Sequence, residues 1–364
     1  MYESNTAKCT TTQYTQRLRI KQVCVVIKPS FVVILFQTSN ILVDGLTISV
    51  MLFFVGSLRY IVKFVDEFLQ KQEIKKQFAG YASPTVVKML QENPSLIKEG
   101  VKRDVSIVFS DLRGFTPLGE SFGDDVKGLT RIMNGYMDAI TEPVLDANGM
   151  IIKYIGDASM HIHNAPIDDE NHAFTSVTTA FKMLKAVEKF NEDIIIPEGR
   201  PPVGMGAGIN TGLGYIGEMG STKRHSYDVL GDSVSTAARV ESKCKEYGQV
   251  LLIGEATYEL TKNDFFYLKI DDLQVKGKSV GLSIYTALDD VRDVWKKPKE
   301  KHEEMYEAYQ AQKFDDAIAL CEILQGHFDN KMDGYYDMWK ERCKFMKTQN
   351  LPKDWNGVFI ATSK

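Results

Sequence analysis

Apolar and polar positions alternate most clearly from Val105 to Asp111, where Val105, Ile107, Phe109 and Asp111 share one face of a two-residue period. The run predicts a strand whose last same-face side chain, a carboxylate, leaves the core. The chain then turns through Leu112-Arg113-Gly114-Phe115-Thr116 into an amphipathic helix. Met150 to Ile155 and Ala158 to Ile162 read as two more strands, separated only by Gly156-Asp157, the turn chemistry of a hairpin. Val203 to Asn210 and Leu213 to Met219 form another apolar pair around Thr211-Gly212 and predict a second hairpin. The glycines of VGMGAGINTGLGYIG suggest a dinucleotide loop, but no clear helix follows them directly, so close strand packing fits better.

Helical periods lie toward the two ends. From Arg59 to Phe78 an incomplete stripe of Ile61, Phe64, Phe68, Ile74 and Phe78 suits either a paired helix in a dimer or a solvated linker, since Lys71 and Lys75 interrupt a clean seam. Met305 to Leu324 predicts a helix-turn-helix with Tyr306, Tyr309, Phe314, Ala317, Ile318, Cys321 and Leu324 on a packed face. It looks like one tetratricopeptide-type unit, which cannot form a solenoid alone and is expected to pack on the rest of the chain or on a protein partner. Ile41 to Leu58 is strongly apolar apart from Asp44, and Leu46 to Phe64 is long enough to span a bilayer if Arg59 and Lys63 snorkel. Gln22 to Phe36 is a weaker second run, carrying Lys28 and Pro29. Basic residues outside both runs favour a membrane hairpin with cytoplasmic termini, the alternative being a single span. The expected organisation is a polar tail over 1–22, a membrane anchor over 23–62, a helical linker over 63–100, a strand-bearing domain over 101–290 and a helical extension over 291–364.

Composition changes this picture little. A chain of 364 residues with 44% apolar and 25% charged content is globular, and its net charge of −4 gives no sign of nucleic-acid binding. Five scattered cysteines form no disulfide framework, as expected in a reducing compartment. His161 and His163 share a strand face, but no third ligand stands nearby in sequence, so sheet packing explains them better than a metal.

The chemistry lies in two aspartates. Asp111 ends one predicted strand and Asp157 occupies the tip of a predicted hairpin; if those strands are neighbours, two carboxylates converge beside the Gly114 turn. Mg²⁺ suits such a place, because it takes one or two carboxylates together with phosphate oxygens. Two metals held there would activate a hydroxyl and steady an in-line phosphoryl or nucleotidyl transfer. Asp111 also suits a plain helix cap, and spacing alone does not identify the nucleotide.

The motifs VSIVFSDLRGFTPL, IIKYIGDASMHIHNAP and YDVLGDSVSTAARVESK, in this order, closely resemble the class III nucleotidyl cyclase catalytic domain, over roughly Phe78 to Leu288. The resemblance implies a ferredoxin-like α+β fold, active as a homodimer, in which a ribose 3′-oxygen is joined to the α-phosphate. Position by position, it assigns Asp111 and Asp157 to two Mg²⁺ or Mn²⁺ ions per site, and the backbone of Gly114, Phe115 and Thr116 to the phosphates. Lys153 and Asp228 match the adenine-reading pair, where guanylate cyclases typically carry Glu and Cys. Arg239 matches the transition-state arginine and Lys276 the triphosphate-holding lysine, while Lys278 and Arg224 rank lower. Where the family usually has Asn, this chain has Ser235, a shorter group with a smaller hydrogen-bonding repertoire. In the family the metal aspartates come from one protomer and the base-reading and arginine groups from the other; this chain has both sets. The segment QFAGYASPTVVKML and the anchor resemble bacterial membrane cyclases with an extracytoplasmic CHASE2-type sensor, though no sensor segment is present here. The implied function is an inner-membrane adenylate cyclase making 3′,5′-cyclic AMP and pyrophosphate from ATP for signal transduction. A catalytically weak, nucleotide-binding regulatory protein is the alternative that Ser235 favours.

Overall fold

The computed structural model describes residues 45–78, 84–93, 100–221, 224–273, 282–288 and 292–352, with 355 and 357. Its contacts divide the chain into Met1–Glu73 and Ile74–Lys364. In the first unit the described residues belong to α1 (Gly45–Phe78), which ends in the second unit. Met51, Phe53, Phe54 and Leu58 are exposed along it. Among the described residues no helix is long and apolar enough to cross a membrane. The expected anchor over 23–62 is therefore not supported there: Arg59 and the Lys63–Glu67 ion pair, 3.4 Å long, cut the apolar run short. The polar tail, the Gln22 to Phe36 run and the start of the anchor lie outside the described residues.

The second unit begins with α2 (Pro84–Glu92), β1 (Val101–Arg113), α3 (Phe115–Glu120) and α4 (Val126–Asp146). There follow β2 (Met150–Ile155), β3 (Ala158–His163), α5 (His172–Phe190), β4 (Gly204–Ser221) and β5 (Arg224–Leu230). Then come α6 (Asp232–Ser242), β6 (Leu251–Gly254), α7 (Glu255–Thr261), β7 (Phe266–Leu273) and β8 (Leu282–Leu288). One sheet runs in the order β2-β3-β1-β4-β6-β8-β7, with β5 paired to the far end of β4. The βαββαβ path through β1, α4, β2, β3, α5 and β4 gives a ferredoxin-like α+β core.

The two-residue period of β1 sorts its side chains between the two faces. Val105 and Ile107 pack with Ile74, Val86, Leu90 and Ile162 on one face. Val108 and Leu112 meet Ile132, Tyr136 and Ile140 of α4 and Val177 and Met183 of α5 on the other. Both faces of β1 are covered by helices, which makes it a rigid base for a residue at its end.

The hairpin expected around Gly156-Asp157 forms, with Ile155 opposite Ala158. The one expected around Thr211-Gly212 does not. β4 is a single strand of 18 residues that pairs with β1 from Gly204 opposite Arg113 to Ile216 opposite Val101. Thr211 and Gly212 sit within that ladder, and a Cβ on Gly212 would come 3.2 Å from Ser233 Cβ. The glycine serves the approach of α6 rather than a turn. Gly208 serves it more strictly, since a Cβ there would stand 2.2 Å from the backbone nitrogen of Glu241.

The C-terminal extension holds α8 (Lys296–Gln310), α9 (Phe314–Leu324) and α10 (Asp333–Lys347), one helix more than the expected helix-turn-helix. Its packed face is turned inward: Met305, Tyr309, Leu324 and Trp339 share one buried cluster with Val240, Leu268 and Ile270 of the sheet unit.

Candidate active site

The site begins at the common end of β1 and β3. Ser110 pairs with Ser159 across the ladder, and their hydroxyls lie 2.7 Å apart. Asp111 is one residue past that pair on β1, and Asp157 two residues before it at the hairpin tip, so the two expected carboxylates converge. Burial pushes the Asp111 pKa up, and the nearby Asp157 charge pushes it further. Two carboxylates that repel each other are a donor set short of a cation, and hard oxygen donors fit Mg²⁺ or Mn²⁺. Among the described residues no group of three or more His, Cys, Asp or Glu side chains could hold a metal, so further ligands would come from phosphate and water.

Beside Asp111 the chain turns at Gly114, whose φ of 83° is left-handed and whose added Cβ would lie 3.4 Å from the Pro202 carbonyl oxygen. The left-handed conformation calls for glycine. Phe115 and Thr116 open the short α3 and are exposed. The strand end is braced by Arg113, whose guanidinium donates to the Gln249 carbonyl and lies across Gly206, where a Cβ would meet it at 3.0 Å.

Lys153 on β2 and Asp228 on β5 meet directly, Nζ donating to Oδ2 at 2.6 Å, while Asp228 Oδ1 accepts from the Val229 N–H at 2.8 Å. The pair is only part buried. Ser235 and Arg239 are four residues apart in α6 and so share one helix face. Ser235 is exposed and Arg239 half-buried, and the Arg239 guanidinium makes no hydrogen bond or ion pair with another described residue. No hydrogen bond joins these α6 residues to Asp111 or Asp157 among the described residues. Lys276 and Lys278, between β7 and β8, lie outside the described residues, as does the side chain of Arg224.

Three neighbours of the site escaped the sequence reading. Glu241 is half-buried, and burial together with the Asp111 charge raises its pKa to about 7. Tyr136 of α4 is buried, its hydroxyl has no partner among the described residues, and the charges of Asp111 and Asp157 add to the burial that raises its pKa. Arg113 is the third. Glu241 follows Arg239 by two, and Arg113 sits inside the quoted DLRGFT, so their positions were visible, but their burial was not. His161 and His163 are fully buried, edge to face with ring centroids 5.5 Å apart, in keeping with sheet packing.

Comparison with known proteins agrees with this geometry. The model of the adenylate and guanylate cyclase catalytic domain matches residues 97–289, more than half of the chain. An adenylate cyclase of Anabaena cylindrica is 33% identical over 189 residues, covering 50% of this chain and 36% of its own length. Adenylate cyclase 1 of Rhizobium meliloti is 30% identical over 193 residues, covering 53% of this chain and 29% of its own. The chain thus spans about a third of the length of these curated relatives. In fold it is similar to a bacterial light-regulated adenylyl cyclase, with a TM-score of 0.50 at 19% identity, covering 64% of this chain and 65% of that one. With its paired aspartates at one sheet end and this match, the chain belongs to the family of adenylate and guanylate cyclase catalytic domains.

Proposed function

We propose that this chain is an adenylate cyclase that converts ATP to 3′,5′-cyclic AMP and pyrophosphate as a homodimer. The observation that carries the choice of ATP is the Lys153–Asp228 pair. Adenine offers an acceptor at its ring nitrogen and a donor at its amino group, which an ammonium and a carboxylate complement. Guanine presents the reverse pattern and would face like against like at both positions.

Asp111 and Asp157 would hold two Mg²⁺ or Mn²⁺ ions, and their repulsion in the bare protein supports that assignment. Bound there, the ions would supply charge neutralisation at the α-phosphate and a lower pKa for the ribose hydroxyl. The remaining work falls to the chain itself. The N–H groups of Gly114, Phe115 and Thr116 bind phosphate oxygens, and Lys276 pairs with the triphosphate. Arg239, with no internal partner among the described residues, is left to offset charge as the 3′-oxygen closes on the α-phosphate and pyrophosphate departs. Ser235, on the same face of α6, orients the ribose or phosphate with one hydroxyl.

We also propose a membrane-bound location, which the exposed Met51, Phe53, Phe54 and Leu58 of α1 support. Release of the full chain from sedimented membranes by salt alone would oppose it.

Offering ATP and GTP separately, in Mg²⁺ and in Mn²⁺, to the purified chain tests the main reading. Cyclic AMP that disappears with Asp157→Ala is the expected result. Tight ATP binding without turnover at high protein concentration would favour the regulatory alternative.

A further inference from the structure

The C-terminal extension lies beyond the residues that match the family, yet it is fastened to the segment that braces the site. β7 is the last strand on its side of the sheet, and two of its backbone carbonyls are met from the extension. The Ile270 carbonyl accepts from Tyr335 Oη at 2.8 Å, and a His302 ring nitrogen lies 2.6 Å from the Lys269 carbonyl. Between the two parts, Arg342 of α10 forms a buried ion pair with Asp271, and Tyr247 Oη donates to the same carboxylate at 2.6 Å. Both charged side chains are almost wholly enclosed, 4% and 2% exposed, and the guanidinium also packs on the Trp339 and Tyr247 rings.

Tyr247 belongs to the connection between α6 and β6. Two residues on, the Gln249 carbonyl holds the Arg113 guanidinium, and Arg113 immediately precedes Gly114 at the end of β1. The Gln249 side chain is within 3.4 Å of the Lys331 carbonyl in the extension. A continuous set of packed, hydrogen-bonded groups therefore runs from α10 through Tyr247 and Gln249 to Arg113, two residues from Asp111.

We propose that the extension is a positioning element for the active site, with Arg342 acting through Tyr247 and Gln249 to fix Arg113 and the Gly114 turn. Arg342 touches no reacting group. Its part is to hold the α6–β6 connection, and with it the anchor point of the turn, in one place.

The test compares the full chain with Tyr247→Phe and with the double variant Arg342→Met, Asp271→Asn. The double variant leaves no unpaired charge in the core, whereas Arg342→Met alone would strand Asp271 and threaten folding. The expected result is amide exchange about tenfold faster at Asp111–Arg113, at Leu118, whose N–H bonds the Gly114 carbonyl, and at Lys243–Val250. Exchange over Met150–His163 should stay as in the parent chain. Turnover should fall about tenfold with a smaller change in KM for ATP, and the single variant Arg342→Lys should recover part of it. Unchanged exchange at Asp111–Arg113 would overturn the proposal. So would a uniform rise that includes Met150–His163, which is what a merely stabilising role predicts. The kinetic arm rests on the adenylate cyclase reading: a parent chain that makes no cyclic nucleotide defeats that reading, while the exchange pattern still decides the coupling.

Discussion

At the scale of single residues, the proposed base-reading pair would have a cost as well as a use. Lys153 and Asp228 satisfy each other at 2.6 Å, so on the proposed reading adenine would have to replace a contact that already exists. Lys153→Ala is expected to lower kcat/KM for ATP by roughly tenfold to a hundredfold and to narrow the preference over GTP, because a lost charged contact in a part-buried pair is worth about 1.5–3 kcal/mol. Steady-state kinetics with both nucleotides checks this, and an unchanged base preference would remove the case for ATP. Ser235→Asn should raise turnover if that position orients the reacting groups, since one such contact is worth roughly a hundredfold. Asp111 and Asp157 were legible in the sequence because strand period and turn chemistry fix where a side chain at the end of an element emerges, whereas Lys153 and Asp228 were reached only through the resemblance to the cyclase family. Tyr136 and Glu241 were not legible. Their significance comes from burial beside the aspartates, which depends on how α4 and α6 lie against the sheet.

At the scale of elements, the sequence predicted strand identities better than strand connections. VGMGAGIN and GLGYIG were recognisable as strand, but the alternation that marks a strand carries no sign of whether an interior Thr-Gly bends or runs on. The continuous ladder with β1 decides it, and that pairing joins residues about a hundred positions apart. The glycines of β4 instead record how closely other parts come. Gly206 lies under Arg113 and Gly208 under Glu241. Gly208→Ala should cost about 2–3 kcal/mol, the scale of overpacking against an immovable backbone. The loss is measurable as a lower urea midpoint. Because α6 carries Ser235 and Arg239, activity should fall even at temperatures where the variant remains folded.

For the whole molecule, acid should be more damaging than the scattered histidines suggest. Burial depresses the pKa of His163 and of His302 to about 4 and holds His161 well below its usual value. Each is kept neutral by folding, so its stabilising effect is complete above the unfolded value near 6.5 and is lost as pH falls from there toward 4. His163 and His302 should each cost roughly 2 kcal/mol between pH 7.5 and pH 5. Denaturant titrations at the two pH values would register it, and His302→Gln should flatten the slope by about one proton. The burial of His302 was not legible in the sequence, because it comes from a helix of the extension docking beside β7.

That docking also bears on the order in which the protein is made. β7, at the border of the sheet, leaves the ribosome with its outer carbonyls bare and Asp271 without its cation. Arg342 is not synthesised until about seventy residues later. At roughly 5–20 residues per second, the nascent sheet waits some seconds with an open border and with Asp271 still unpaired. A message cut short between residues 289 and 342 would yield every residue of the family match and all eight strands, yet leave Asp271 without Arg342. The end of the family match at residue 289 thus falls short of the residues that cover the sheet's border, which continue into α10.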